Sequence, residues 1–272
     1  YKQLQKDVMD VVYRYDAFGL EDELFPHSGD RRKGHLHIHA RRQFAFEADD
    51  RKIASFHRWL IKRVNEGVLS VDPVSTKPWF SEYVDSAYRR GAMNAYTSTT
   101  KKKSMLVKPE FYEGTRAEFI RASFAAPETT AKLRLLYTRA FDQLDGITRQ
   151  MSGALSTVLT DALSNGWGAL KTARAINKTI GQFDRVRSRR FARTEIIHAH
   201  AEGQLDSFEK LGIEEVGVQA EWLTAGDGLV CPRCAAMEGE VFKTSEAHGL
   251  IPLHPNCRCS WIPFVPEQRI AA

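Results

Sequence analysis

The chain has 272 residues, 43% of them hydrophobic, which is enough to bury a real core split into more than one unit. Its formal net charge of +5 and pI ≈ 9.0 make it mildly basic. That balance suits an anionic partner such as nucleic acid or an acidic protein face, and is also what ordinary solvated helix faces carry. No apolar run is long enough to span a bilayer, so no helical membrane segment is expected.

From Lys2 to about Tyr15, the residues Leu4, Val8, Val11, Val12 and Tyr15 recur at helical spacing. A charged, turn-rich segment follows from Gly19 to Gly34. His35, His37 and His39 then alternate with Leu36 and Ile38, so a strand here would carry all three imidazoles on one face. No acid or cysteine stands beside them to complete a metal site. The pattern therefore predicts an exposed or edge strand with Leu36 and Ile38 turned inward. A second amphipathic helix is predicted from about Phe44 to Asn65, with Phe46, Ile53, Phe56, Trp59, Leu60 and Val64 as its stripe, and a third from about Trp79 to Tyr96. Thr97 to Pro109 reads as an exposed linker, whose Lys101 to Lys103 suit solvent or a phosphate backbone. Thr115-Arg-Ala-Glu118 has the form of a capping box opening a short helix.

Pro127 is placed to be the first residue of the longest helix. Its stripe is Leu133, Leu136, Tyr137, Ala140, Leu144, Ile147, Met151, Leu155, Val158 and Ala162, and Asn165-Gly166 supplies the stop. A stripe of this length over 127–165 packs on neighbouring helices of the same chain or of a second copy. Trp167 to Ile180 forms a shorter helix with Leu170, Ala173 and Ile176 inward. Asp184 reads as the cap of a further helix that runs to about Leu211 and ends at Gly212. On it, Arg185, Arg189 and Arg193 fall on one face. This basic stripe suits DNA phosphates or an acidic partner, or else a solvated face with Glu195 and Glu202 as local ion pairs.

After Gly212 the period changes. Val216 to Trp222 alternates as a strand, Thr224 to Gly228 is a turn, and Glu240 to Phe242 and Cys257 to Phe264 supply two more strands. The expected fold class is mainly α with a small C-terminal α+β unit: a helical N-terminal region and long helices, then a small antiparallel sheet stabilised by a zinc-knuckle-like site. The expected divisions are a helical region at 1–99, a linker and short helix at 100–126, a long-helix region at 127–182 and a C-terminal zinc-binding domain at 183–272.

All four cysteines lie in the last of these, in Cys231-Pro-Arg-Cys234 and His254-Pro-Asn-Cys257-Arg-Cys259. The first pair lets two thiolates reach one ion from a tight turn that Pro232 stiffens. If Cys257-Arg258-Cys259 is extended, its two sulfurs share a face. Five soft or borderline donors for a four-coordinate ion point to a closed structural Zn²⁺ site. Which four bind is open: four sulfurs, or His254 in place of one of them, with His254 otherwise supporting the ligands from outside. Two disulfides are the competing arrangement, which the knuckle-like spacing argues against. So short a segment, with few large apolar residues, needs the metal in order to fold.

The ordered series Arg193-Thr194-Glu195, Trp222-Leu-Thr with Asp227, Cys231-x-x-Cys234, Gly239 and His254-Pro-Asn-Cys257-Arg-Cys259 resembles the phage Mu F-like minor head proteins, also called phage head morphogenesis proteins. The helices before it, with Asn165-Gly-Trp-Gly168, fit the family's lead-in, so the resemblance covers roughly Pro127 to Phe264. It implies a virion component of a tailed phage or prophage that associates with the phage portal protein. Major capsid protein and double-stranded DNA are further partners, and the setting is the portal vertex and the host cytoplasm during assembly. The family has no agreed catalytic residues, so none is carried over. Glu195 and Trp222 are expected to be structural, an Arg193–Glu195 pair locking the helix onto the metal-bound sheet.

Two other functions compete. His254, Asn256 and the cysteine pairs invite comparison with metal-dependent nucleases in which a histidine activates water, although a second catalytic histidine has no clear counterpart. A zinc-bearing DNA-binding regulator would use the arginine stripe, but no basic recognition helix follows the knuckle.

Overall fold

The computed structural model describes residues 2–14, 52–73, 75–100, 114–165, 167–211 and 219–264. The expected strand at His35 to His39, the start of the second helix before Lys52, the lysines at 101–103 and the stops at Gly166 and Gly212 lie outside the described residues. Within them the chain is mainly helical with one small antiparallel sheet, as its sequence predicts.

In chain order, α1 (Lys2–Met9) continues into a wide π-type turn at Asp10–Arg14, and α2 spans Lys52–Gly67. Next, α3 (Ser81–Thr100) runs through the start of the expected linker. Thr97 donates to the Met93 carbonyl at 2.8 Å and Ser98 and Thr99 to that of Ala95 at 2.9 Å. The hydroxyls thus bond back along the helix rather than initiating a loop. The capping box at Thr115 and Glu118 opens α4 (Arg116–Ala125), and Pro127 begins α5 (Pro127–Ser164), most of whose stripe is buried, although Ile147 and Val158 are half-buried and Leu159 is buried beside them. Leu135, off that stripe, is exposed.

The expected helix start at Asp184 does not occur. Instead α6 (Ala169–Gln182) passes through a π-type turn, Phe183–Ser188, into α7 (Arg189–Lys210). Gln182 and Arg189 at its borders are both right-handed helical, so the backbone never leaves the helix and Asp184 has no orphan N–H to cap. Leu170 is exposed, not inward, while Ala173 and Ile176 are fully buried.

The chain divides into two units. The first, Tyr1–Asp72 with Phe141–Arg189, packs α1 on α6 and α2 around Leu4, Val8, Phe56, Leu60, Leu155 and Ile176. The second is Pro73–Ala140 with Arg190–Ala272. It contains β1 (Gln219–Leu223), a single helical turn α8 (Pro232–Ala235), β2 (Val241–Phe242), a turn α9 (Thr244–Ala247) and β3 (Ser260–Phe264). The sheet order is β2-β1-β3, wholly antiparallel. Pro263 is tolerated because β3 is an edge strand. Trp222 faces Trp261 in register, the two rings meeting edge to face at 5.3 Å. They pack on Leu205 and Phe208 of α7 in one hydrophobic core, into which Cys234, Cys257 and Cys259 are also built. Gln204 fixes that docking: its amide donates to the Trp261 carbonyl at 2.8 Å and accepts from its N–H at 3.1 Å.

Candidate metal centre

Cys231 ends the loop after β1 in extended conformation and caps α8, its sulfur accepting from the Cys234 amide at 3.4 Å with Pro232 in the first turn. Cys234 is thereby turned back toward Cys231. The other half is set by a second tight turn. The Cys257 amide donates to the His254 carbonyl at 3.1 Å, with Pro255 in the second turn position and Asn256 in the third at φ 62°. Pro then Asn is what a type II turn demands, because the third position needs a residue that tolerates the left-handed region.

The two turns bring all five expected donors together. His254 Nε2 lies 3.1 Å from Cys231 Sγ and 3.0 Å from Cys234 Sγ, and Cys234 Sγ lies 3.8 Å from Cys257 Sγ. Cys231, Cys234 and His254 form one group with ligand atoms within 4.8 Å of one another, and Cys234, Cys257 and Cys259 form another. Cys234 belongs to both. The four cysteines are free thiols. Cys257-Arg-Cys259 precedes β3 rather than lying in it, contrary to the strand expected from Cys257, yet both sulfurs still reach Cys234.

The chemistry of the donors fits a metal ion. Burial pushes the Cys234 thiol up and that of Cys259 to about 11, and a cation among them is what would favour their thiolate forms. Cys231 is held down, chiefly by the backbone N–H of Cys234. The cluster could therefore hold a metal. Arg258, between two of the cysteines, makes paired 2.6 Å hydrogen bonds to both oxygens of Asp227. This straps the loop after β1 to the Cys257–Cys259 segment.

The helix motif makes a different contact from the one expected. Glu195, 8% exposed at its side chain, pairs with Arg139 of α5 at 3.4 Å and not with Arg193. Burial raises its pKa, and Arg139 opposes that shift. Arg139 also reaches His198 Nε2 at 3.1 Å, while His198 Nδ1 lies 3.0 Å from the Ile251 carbonyl. That arrangement fits a neutral imidazole donating to Ile251 and accepting from Arg139, and burial lowers the His198 pKa accordingly. Thr194 supplies the link to the metal turn, its hydroxyl accepting the Asn256 amide at 3.2 Å. Arg185, Arg189 and Arg193 are all exposed, and Trp222 is fully buried.

A second polar group has no counterpart among the residues predicted to be functional. Glu202 accepts from Lys132 at 2.7 Å and from the Gly249 amide at 2.9 Å, and meets His248 Nδ1 at 2.9 Å. His248 Nε2 meets Glu209 at 3.0 Å, and Tyr88 donates to Asp206. Glu202 is thus another expected local partner of the arginine stripe that pairs elsewhere. The sequence carries a signal: between Glu195 and Phe208 the helix has His198, Glu202 and Gln204 where a core-facing helix would show apolar residues. A buried face of that composition requires partners from other segments.

Residues 154–262 match the family model described as Phage Mu protein F like protein. The matched stretch begins within α5 and ends in β3, and it holds the Arg193–Glu195 motif and every donor of the candidate centre. It is the family that the ordered motifs resemble, and it points to a protein of phage head morphogenesis. No curated protein and no solved structure matches the chain.

Proposed function

We propose, proceeding from that family match, that the protein is a structural, non-enzymatic minor head protein of a tailed phage, bound at the portal vertex during head assembly, packaging or ejection. The observation that supports this reading is the convergence, within the matched stretch, of all four cysteines and His254 into two donor groups that share Cys234. A donor-saturated sulfur and imidazole set favours a closed structural Zn²⁺ site over a catalytic one that keeps a position open for water. Such a zinc ion would be held by Cys234 with three of Cys231, His254, Cys257 and Cys259. It would supply the folding energy that a three-stranded sheet of this size lacks. Arg185, Arg189 and Arg193 would contact packaged DNA or the acidic surface of a virion protein, the portal or the major capsid protein.

Co-expression with the portal protein of the same phage, followed by size-exclusion chromatography and mass measurement, tests this function. A co-eluting complex of defined stoichiometry supports it. A folded, zinc-loaded protein that elutes alone counts against portal association. Incubation with plasmid and Mg²⁺ or Mn²⁺ at protein excess should give no nicking; nicking would establish the nuclease alternative instead.

A further inference from the structure

Within the second unit, α3, α7 and the start of β3 enclose a cleft of ≈ 330 Å³. Tyr83, Ala87, Ile196 and Ile197 give it apolar walls, and Arg90, His200 and Arg258 give it basic ones. No carboxylate among the described residues lines it. The basic groups are not equivalent. Arg258 is committed to Asp227 through its paired 2.6 Å bonds. His200 lies 3.0 Å from the Asn94 side chain, and burial together with Arg90 lowers its pKa, so it remains neutral. Arg90 is exposed and, among the described residues, has no carboxylate partner.

Two of the cleft's apolar lining residues reach solvent, Tyr83 at 61% exposed and Ile196 at 39%, and Trp79, beside Tyr83, is 52% exposed. Trp79 and Tyr83 already meet edge to face at 6.3 Å, so they stand as a pre-ordered pair. A rigid Tyr beside Arg at a concave site, backed by an adjacent Trp, is of the composition that carries most binding energy in protein interfaces. Duplex DNA fits less well, because a phosphate backbone is gripped by several spaced cations, and this cleft offers one without a carboxylate partner.

We propose that this cleft docks a short segment of a partner protein, one that sets an Asp or Glu carboxylate on Arg90 and an adjacent aliphatic or aromatic side chain against Tyr83 and Ile196. The inference goes beyond the head-protein reading and stands on the geometry of the cleft alone.

The test is selection of random dodecapeptides displayed on filamentous phage against the full chain, followed by fluorescence anisotropy with fluorescein-labelled winners. The expected consensus places an acid beside Leu, Ile or Phe. Affinity should fall about tenfold or more for Arg90→Glu and for Tyr83→Ala, as for other interface anchors. Amidation of the peptide's acid should cost a similar factor. Both substituted residues are exposed, so circular dichroism should be unchanged, and Arg90→Glu should instead accept a peptide whose acid is replaced by Lys. Four outcomes overturn the proposal. They are a consensus without an acid, binding indifferent to Arg90→Glu, displacement of the peptide by a short duplex with steep salt dependence, and a homodimer that Tyr83→Ala dissociates.

Discussion

Gly203 of α7 lies directly on the backbone of Tyr88 in α3: a Cβ built there would stand 2.2 Å from the Tyr88 carbonyl oxygen. The contact is reciprocal, since a Cβ on Gly91 would stand 2.0 Å from the His200 carbonyl oxygen. The two helices approach this closely because each presents a hydrogen where other residues present a methyl. Gly203→Ala must push backbone against backbone, and overpacking of this kind costs about 1–3 kcal/mol, more than the ~1 kcal/mol of helix propensity that alanine returns. Gly153→Ala in α5 meets nothing within 4 Å and should stabilise instead. Urea unfolding decides: equal midpoint shifts for the two variants would remove the close approach as the reason for Gly203.

Arg139 holds a buried carboxylate, and its removal should show a sign that follows from burial. An acid whose folded pKa is raised, as that of Glu195 is, disfavours the fold as pH rises above its ordinary value of 4.5. Arg139 opposes this, and its side chain is 41% exposed, so the pair is partly screened. Arg139→Met is expected to cost about 1–3 kcal/mol at neutral pH, below the range for a fully buried pair, and little at pH below 4.5. Adding Glu195→Gln should recover most of the loss. Urea midpoints across that pH range, for the single and double variants, measure both statements.

The helices were legible in the sequence wherever one face was apolar: Leu133 to Ala162 announces α5, and Thr115 with Glu118 announces α4. The cysteine cluster was legible because its candidate donors come from two short turns whose Pro and Asn residues are local signals. Less legible was α7, because Glu195, His198, Glu202 and Gln204 share its buried face with Leu205 and Phe208. Their partners, Arg139, Ile251, Lys132, His248 and Trp261, lie many residues away, and no local pattern selects among them. The start of α7 was misplaced for a related reason. Asp184 has the chemistry of a cap, but capping requires a backbone that leaves the helix, and nothing between Gln182 and Arg189 makes it do so.

Glu202 and His248 give the second unit a stability window with two limbs. Glu202 is held down to about 2 from 4.5: burial pushes it up, but hydrogen bonds from His248 and Lys132 outweigh that. Its contribution is fully present above pH 4.5 and is lost as pH falls toward about 2. The His248 pKa is raised above 6.5, first by its hydrogen bond with Glu202. Its contribution is therefore complete below pH 6.5 and disappears as pH rises through the folded value. His248→Gln should flatten the alkaline limb of a midpoint-against-pH curve and leave much of the acid limb, which Lys132 and Gly249 sustain. Glu202→Gln should flatten both. An unchanged alkaline limb in His248→Gln would show that the histidine carries no net charge in the fold.

If the cluster holds zinc as proposed, its loss should act through Cys234 more than through any other candidate donor. Its sulfur faces both His254 and Cys257, so it is the one donor common to both groups of the cluster. With Cys231 or Cys259 replaced by Ser, the fifth donor can take the vacated position at some cost in affinity. With Cys234→Ser the two halves of the cluster no longer share a ligand. Zinc content by atomic emission should therefore be near zero for Cys234→Ser and only reduced for Cys231→Ser and Cys259→Ser. Chelation of the parent protein should expose Trp222 and Trp261, both now buried, and shift their fluorescence to the red. The described helices of the first unit contribute no donor to the cluster, so the part of the far-ultraviolet circular dichroism that they supply should persist on chelation. Equal zinc loss in all three serine variants would mean that Cys234 does not bridge the cluster and that the ion sits on one fixed set of four.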